Sequence, residues 1–201
     1  MSNITDLIKK KLEKRVNRAE AEEAIKTLLG WIGENPKREG LLDTPKRVIK
    51  AFEEYFSGYF IDPYKELEKT FGDVQGYDDM VIQKNISIFS HCEHHMAPII
   101  GVAHVAYVPH KKIVGLSKLA RVVEAYSRRL QTQERLTIEI AETVFKGLEA
   151  HGSAVSIDAI HHCMTSRGIK KHEATTATNF FTGIFKESHN LQSRFLNLIK
   201  K

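Results

Sequence analysis

At 201 residues, 42% of them hydrophobic and 27% charged, the chain has the make-up of one globular domain, or of one domain with an appended segment, long enough to bury its own core. No apolar run approaches the ~18 residues of a membrane span. The opening stretch MSNITDLIKKKLEKR is charged and amphipathic and lacks the apolar centre of a secretory signal. A cytoplasmic chain with no membrane partner is therefore expected, a setting that disfavours a disulfide between its 2 cysteines. The net charge of +5 does not require nucleic acid, because a phosphate-bearing small molecule accounts for it equally well.

In chain order, residues 1–60 read as helices. Asn17, with Glu20 three positions on, makes a capping-box pattern ahead of a helix carrying Ile25, Leu28, Leu29 and Trp31. Gly33-Glu34-Asn35-Pro36 ends it. Thr44-Pro45 reads as an N-cap followed by proline at the first helical position, with Val48, Ile49, Phe52, Tyr55 and Phe56 forming the apolar face. Residues 60–78 are mixed and read as a loop or a short helix.

From Met80 the character changes. Residues 80–89 and 100–108 are β-branched runs suited to paired strands. Two helices follow, one from about Ser117 (Leu119, Val122, Val123, Tyr126) and one from about Thr132 (Leu136, Ile140, Val144, Leu148). Residues 154–164 and 174–185 read as a second pair of strands, and a short helix follows Ser188. Helices, hairpin, two helices, hairpin is an α+β order with an antiparallel sheet. We divide it into an N-terminal helical segment, residues 1–60, and a main domain, residues 61–201.

One stretch carries chemistry: Ser90-His91-Cys92-Glu93-His94-His95. Cys92 and His95 are three residues apart, so a single turn can aim both at one ion. Cys163, the other cysteine, sits in His161-His162-Cys163-Met164 at the end of a predicted strand. Alternation along that strand puts Val155, Ile157, Ala159, His161 and Cys163 on one face and His162 on the other. Thiolate and imidazole donors favour zinc over magnesium or calcium. Structural zinc takes four protein ligands, often from CxxC pairs, and the chain contains no CxxC. Cys92, His95 and Cys163 form a Cys2His set with a fourth position for water, the open arrangement of catalytic zinc. The competing reading is a pair of unliganded buried cysteines, since a free thiol packs as a small hydrophobe.

A second feature is electrostatic. Ser117 reads as an N-cap, which places Lys118 and Arg121 in the first turn of a helix. Cations are disfavoured there by the helix dipole, whereas an anion is welcomed by the free N–H groups. A bound phosphate reconciles the two. Arg128, Arg129, Lys170 and Lys171 carry no such argument and read as surface charge.

The stretches GENPKREGLLDTPKRV, SHCEHHMAPIIGVAHVAYVP, VGLSKLARVVE, QTQERLT and IDAIHHCMTSRG, in this order and spacing, closely resemble GTP cyclohydrolase I. The likeness runs from about Trp31 to Leu196. It implies an enzyme that opens the imidazole ring of GTP, releases formate and forms 7,8-dihydroneopterin triphosphate, the first step of pterin and tetrahydrofolate synthesis. It also implies the tunnelling fold, whose subunits join their sheets into barrels within a ring-shaped homodecamer, and an allosteric enzyme. Carried across motif by motif, zinc ligands fall on Cys92, His95 and Cys163, and catalytic histidines on His94 and His161. Residues that hold GTP fall on Ser117, Lys118, Arg121, Gln133, Glu134 and Arg167, with Arg47 at a triphosphate-contacting position. Two departures, the MAPII stretch and His162, touch none of these.

The residues suit the reaction. Hydrolysing a purine ring requires a nucleophile at C8, a proton for the ring nitrogen, and a grip on guanine and triphosphate. Zinc lowers the pKa of a bound water to ~7, and histidines titrate near neutrality. Rival readings are a nucleobase deaminase, whose H-x-E and P-C-x-x-C signature is absent, a zinc-stabilised interaction module with a closed four-ligand site, and a tunnelling-fold reductase without the Cys2His set.

Overall fold

The structure, a computed structural model, describes residues 16–72 and 76–200. The charged stretch 1–15 lies outside the described residues. Helix α1 (Arg18–Trp31) starts as the capping pattern requires, with Asn17 Oδ1 accepting from the Glu20 backbone N–H at 2.9 Å. It buries no residue within the chain, and Leu28 and Trp31 remain 55% and 82% exposed. Helix α2 (Thr44–Tyr55) starts one residue earlier than the Thr-Pro pattern suggests. Asp43 takes the cap position through its carbonyl, which accepts from Arg47 N at 3.0 Å, and Pro45 sits inside the first turn, where its missing N–H costs nothing. The mixed region holds a 3-10 turn (Ser57–Phe60), a short helix α3 (Pro63–Leu67) capped by Asp62, and strand β1 (Thr70–Phe71), which pairs with β4 (Ile113–Val114).

The main sheet has the order β5-β2-β3-β6-β7, built from β2 (Val81–Cys92), β3 (Pro98–Val108), β5 (Leu130–Gln131), β6 (Gly152–His161) and β7 (Thr176–Phe181). All neighbours are antiparallel except β5, which runs parallel to the end of β2. Alternation sends Ile86 and Ile88, Ala103, Val105 and Tyr107, and Val155, Ile157 and Ala159 to one face. There α4 (Leu116–Ser127) and α5 (Gln133–Gly147) cover them with Leu119, Val122, Val123, Leu136, Ile140 and Val144. On the other face α7 (Ile184–Glu187) and α8 (His189–Ile199) close one end, where Phe185 and Phe195 meet Met80, Ala106, Val108 and Ala154. Beyond that end the face is partly open: His91 is covered by Tyr55 and Phe56, whereas Phe89, Ile100 and Ile160 are 51%, 40% and 38% exposed. No helix among the described residues is long and apolar enough to cross a membrane.

The strands differ from their sequence-based limits in an informative way. The first pair is longer, because β2 continues through His91 and Cys92, and β3 opens on Pro98 at a strand's first residue, where a missing N–H is tolerated. The second pair is shorter. β6 stops at His161, where the chain turns helical as α6 (His162–Thr165), and residues 184–187 are helical rather than extended.

Arg129 is not surface charge. It is half-buried: Nε donates to Gly58 O at 3.0 Å and Ala125 O at 2.9 Å, Nη2 donates to Ile61 O at 3.3 Å, and the guanidinium lies 4.7 Å from the Tyr126 ring centroid. Arg128 is also half-buried, over Phe89. Both tie the end of α4 to the segment before α3. Lys170 and Lys171 are exposed, as expected.

Gly101 lies opposite Ala159 in the β3–β6 ladder, and a Cβ there would come within 2.1 Å of Asp158 O and 2.5 Å of Ala159 Cα. Gly101→Ala must push two backbones apart. It should lower stability by about 1–3 kcal/mol, at roughly 2–4 °C of Tm per kcal/mol for a chain this size. Thermal unfolding at fixed protein concentration checks this, and an unchanged Tm would contradict the close approach.

Candidate metal centre and its cavity

Cys92 is the last residue of β2, and the tight turn that follows doubles the chain back on it. Cys92 O accepts from Met96 N at 2.8 Å and His95 N at 3.4 Å, while Cys92 N donates to Ala97 O at 2.8 Å. Met96 takes a left-handed φ of 54° to close the turn. His95 Nδ1 thereby comes to 3.8 Å from Cys92 Sγ. The third member arrives from β6. Its ladder pairs Ile99 with His161, so the start of α6 falls beside the turn. One ligand atom each from Cys92, His95 and Cys163 lie within 4.8 Å of one another. Strand alternation therefore does not place Cys163: the strand has already ended, and a helical turn, closed by Ser166 N donating to His162 O at 3.0 Å, carries the thiol in.

Both cysteines are free. Burial pushes the Cys163 thiol up, and neighbouring Cys92 pushes it further. Two thiols this close resist ionising together unless a positive charge joins them. A zinc ion does that, since Zn–S of about 2.3 Å and Zn–N of about 2.0–2.1 Å put S and N roughly 3.6 Å apart at the tetrahedral angle. The separation of 3.8 Å between Cys92 Sγ and His95 Nδ1 fits. These three residues can hold one metal ion.

Beside the donors opens a cavity of about 200 Å³, lined also by His94, Gln133, Glu134 and His161. Cavities of 490 and 420 Å³ lie elsewhere, by Phe52 and Phe56 and by Tyr55 and His91, but neither gathers a donor set. His94 is largely exposed, with Nδ1 3.7 Å from Cys92 Sγ and Nε2 3.9 Å from Glu93. His161 Nε2 lies 2.7 Å from Gln133 Oε1. Burial lowers the pKa of this imidazole, and Glu134 partly offsets it. Glu134 sits exposed in the first turn of α5, whose cap Thr132 accepts from Arg135 N at 3.4 Å. Arg167 Nη1 lies 3.0 Å from His95 Nε2, which puts a guanidinium at the rim. Gln133 is only 1% exposed.

Four expected site residues lie elsewhere in the chain. α4 begins at Leu116 behind Gly115, so Ser117 is inside its first turn rather than at the cap. Lys118 and Arg121 pair with Glu66 of α3 at 3.3 and 3.5 Å, so a carboxylate of the chain faces both. The far end of α4 reaches the site end of β2, where Ser90 Oγ donates to Arg129 O. At 1.5 Å per residue, the first turn is therefore about 15 Å further along the helix. Arg47 is exposed on α2 beside Asp43.

The residue-by-residue reading missed Arg135. Its Nη2 donates to Glu93 Oε2 at 2.7 Å and Leu130 O at 2.8 Å, and its Nε donates to Gln131 Oε1 at 2.9 Å. Gln131 O in turn accepts from Glu93 N at 3.1 Å. The ligand turn is thus pinned from behind through Glu93. The signal in the sequence is slight: an Arg four residues after a Gln, astride a helix start.

An α+β domain that gathers two thiols, three histidines and a carboxylate around an open cavity at its sheet end has the donors to hold a metal ion and the acid–base groups of a hydrolase beside them. A family model described as GTP cyclohydrolase I matches residues 21–200. GTP cyclohydrolase 1 of Pelagibacter ubique (strain HTCC1062) is 65% identical over 188 residues, covering 94% of this chain and 93% of that protein. The proteins of that name from Maricaulis maris (strain MCS10) and Brucella abortus (strain S19) are 57% identical over 185 residues and 55% over 190, covering 92% and 94% of this chain and 90% and 89% of theirs. Among solved structures, the archaeosine synthase QueF-Like in the apo form aligns with a TM-score of 0.43 at 16% identity, over 52% of this chain and 93% of that one, a likeness too slight to argue from. The chain belongs to the GTP cyclohydrolase I family, and its fold is the tunnelling fold.

Cys92→Ser and Cys163→Ser should each abolish stoichiometric metal retention. Arg135→Ala keeps every ligand but frees the turn, and should weaken metal binding ~10–100-fold, the usual cost of losing an outer partner. Chelator competition measures all three, and wild-type affinity in any of them would contradict the assignment.

Proposed function

We propose that this protein is a zinc-dependent hydrolase that converts GTP and water to 7,8-dihydroneopterin triphosphate and formate, opening pterin and tetrahydrofolate synthesis. The observation that carries this reading is the open Cys92, His95, Cys163 donor set sharing one cavity with His94, His161 and Glu134, in a chain of this family. Zinc, when held there, supplies an activated water near neutral pH. His161, half-buried at the cavity wall, gives a proton to the purine ring nitrogen as the ring opens, and His94, exposed at the rim, serves as the second acid–base group.

Glu134 selects the base. Guanine offers N1–H and the 2-amino group on one edge, both donors, and an ionised carboxylate is an acceptor that takes both. Adenine presents an acceptor at N1, which would face the carboxylate's lone pairs. Glu134 is suited to this, because its carboxylate makes no hydrogen bond or ion pair with a described residue. Arg167 lies at the rim to meet the substrate's anionic part, but Arg47, Ser117, Lys118 and Arg121 belong to elements remote from this cavity.

That separation supports a homo-oligomer, the homodecamer of the family, in which the first turn of α4 of one copy completes the cavity of another. The same reading explains the open sheet face at Phe89, Ile100 and Ile160, the exposed Leu28 and Trp31, and the β2 edge, which has only the two-residue β5 as neighbour among the described residues. An assembly of this kind, in the cytoplasm, with GTP as substrate and regulated allosterically, is our proposal for the working enzyme.

Formate release from GTP, ITP and ATP tests it. The wild type should turn over GTP and reject ATP, by up to ~10⁴–10⁵ where a site is built to hydrogen-bond the missing group. Glu134→Gln should lose most GTP turnover. Equal use of ATP and GTP, or a Glu134→Gln variant as fast as wild type, would sink the proposal.

A further inference from the structure

Gln133 stands in the motif that the resemblance assigns to holding GTP, yet its side chain is buried and every polar atom of it is engaged inside the protein. Nε2 lies 2.7 Å from Thr176 O, 3.1 Å from Thr178 Oγ1 and 3.2 Å from Ile157 O. Two of these neighbours are carbonyl oxygens, which only accept, so the amide nitrogen must face them. The flipped amide would set oxygen against oxygen. The hydroxyls agree. Thr137 Oγ1 donates its one hydrogen to Gln133 O at 2.7 Å, so in the 2.7 Å contact between Thr137 and Thr178 it is Thr178 that donates. Thr178 Oγ1 is then free to accept from Gln133 Nε2. With the amide oriented, Oε1 is the atom that meets His161 Nε2 at 2.7 Å, and an amide oxygen only accepts. The imidazole must carry hydrogen on Nε2.

We propose that Gln133 is a positioning residue that locks His161 as its Nε2–H tautomer, leaving Nδ1 as the ring nitrogen that faces the substrate. Nδ1 has no hydrogen-bond partner among the described residues, while the ring lines the cavity. The lock is rooted in the sheet itself. Thr176 and Thr178 lie on β7, Ile157 on β6, and Thr137 one turn along α5, so the histidine's orientation follows from the packing of α5 on the β6–β7 hairpin. The proposal rests on the reading of His161 as an acid–base group, and it moves Gln133 from the substrate's contacts to the support behind the histidine.

A neutron structure of the zinc-loaded protein, crystallised at about pH 8, where an ordinary histidine is neutral, reads the tautomer directly. We expect deuterium on His161 Nε2 and two deuterium atoms on Gln133 Nε2. Deuterium on Nδ1 with a bare Nε2 would overturn the lock. Gln133→Met, which keeps the volume and removes the acceptor, should lower kcat ~10–100-fold, with KM for GTP and metal content close to wild type. A raised KM at unchanged kcat would instead make Gln133 a substrate contact and overturn the proposal. If Gln133→Met does not fold, the wild-type neutron map decides alone. A wild type that releases no formate from GTP yet carries deuterium on Nε2 would remove the proposed reaction and leave the lock standing.

Discussion

β3 runs between two antiparallel neighbours, and its pairings of His91 with Pro98 and of Ile99 with His161 set the position of the three donors, Cys92, His95 and Cys163. Side chains alternate with a period of two, so a slip of one residue on either side would send the inward set to the wrong face. On the β2 side the register fixes where the chain must turn, and hence that Cys92 and His95 share one turn. On the β6 side it fixes where the strand ends, and hence that Cys163 enters from the next helical turn. The large apolar clusters beneath, from Ile88 to Val144, hold that register, because any slip would expose them. The metal centre is thus a consequence of strand pairing, and the ion would close a geometry already set.

Around the donors the protein uses two kinds of support. Glu93, Arg135 and Gln131 brace the ligand turn through charged hydrogen bonds, while Gln133 and the threonines of α5 and β7 orient His161 through neutral ones. Both supports meet at the start of α5, between Gln131 and Arg135. That start therefore faces two ways: toward the cavity with Glu134, and toward the scaffold with its neighbours on either side. The cationic residues at the start of α4 belong to a separate structural unit, anchored on Glu66.

Much of this was readable before any coordinates. The caps at Asn17 and Thr132, the apolar faces of α4 and α5, and the β-branched runs of β2 and β3 are local signals, and each element formed where they lay. Cys92 and His95 were readable as a pair because their spacing is itself a turn. Cys163 was readable as a partner from its scarcity and its histidine neighbours, but strand alternation gave the wrong cause. Its route into the site depends on where β6 ends, and a run such as Ile160-His161-His162-Cys163 looks the same extended or turned. Arg129 and Arg135 were not readable from their own positions, because what makes a guanidinium structural is the set of acceptors the fold brings to it, the carbonyls of Gly58 and Ile61 for one, the Leu130 carbonyl and the Glu93 carboxylate for the other. Ser117 misled because a serine before an apolar run resembles a cap, while the helix had already begun behind Gly115. Gln133 was readable as important through resemblance alone, and its side chain's direction required the fold.

Strand register places two sulfurs and one imidazole where a single ion can take all three. X-ray absorption at the zinc edge of the purified protein measures this shell without reference to turnover. It should show one zinc per chain with two sulfur scatterers at about 2.3 Å and nitrogen or oxygen scatterers at about 2.0–2.1 Å. A shell with no sulfur, with one, or with four would contradict it.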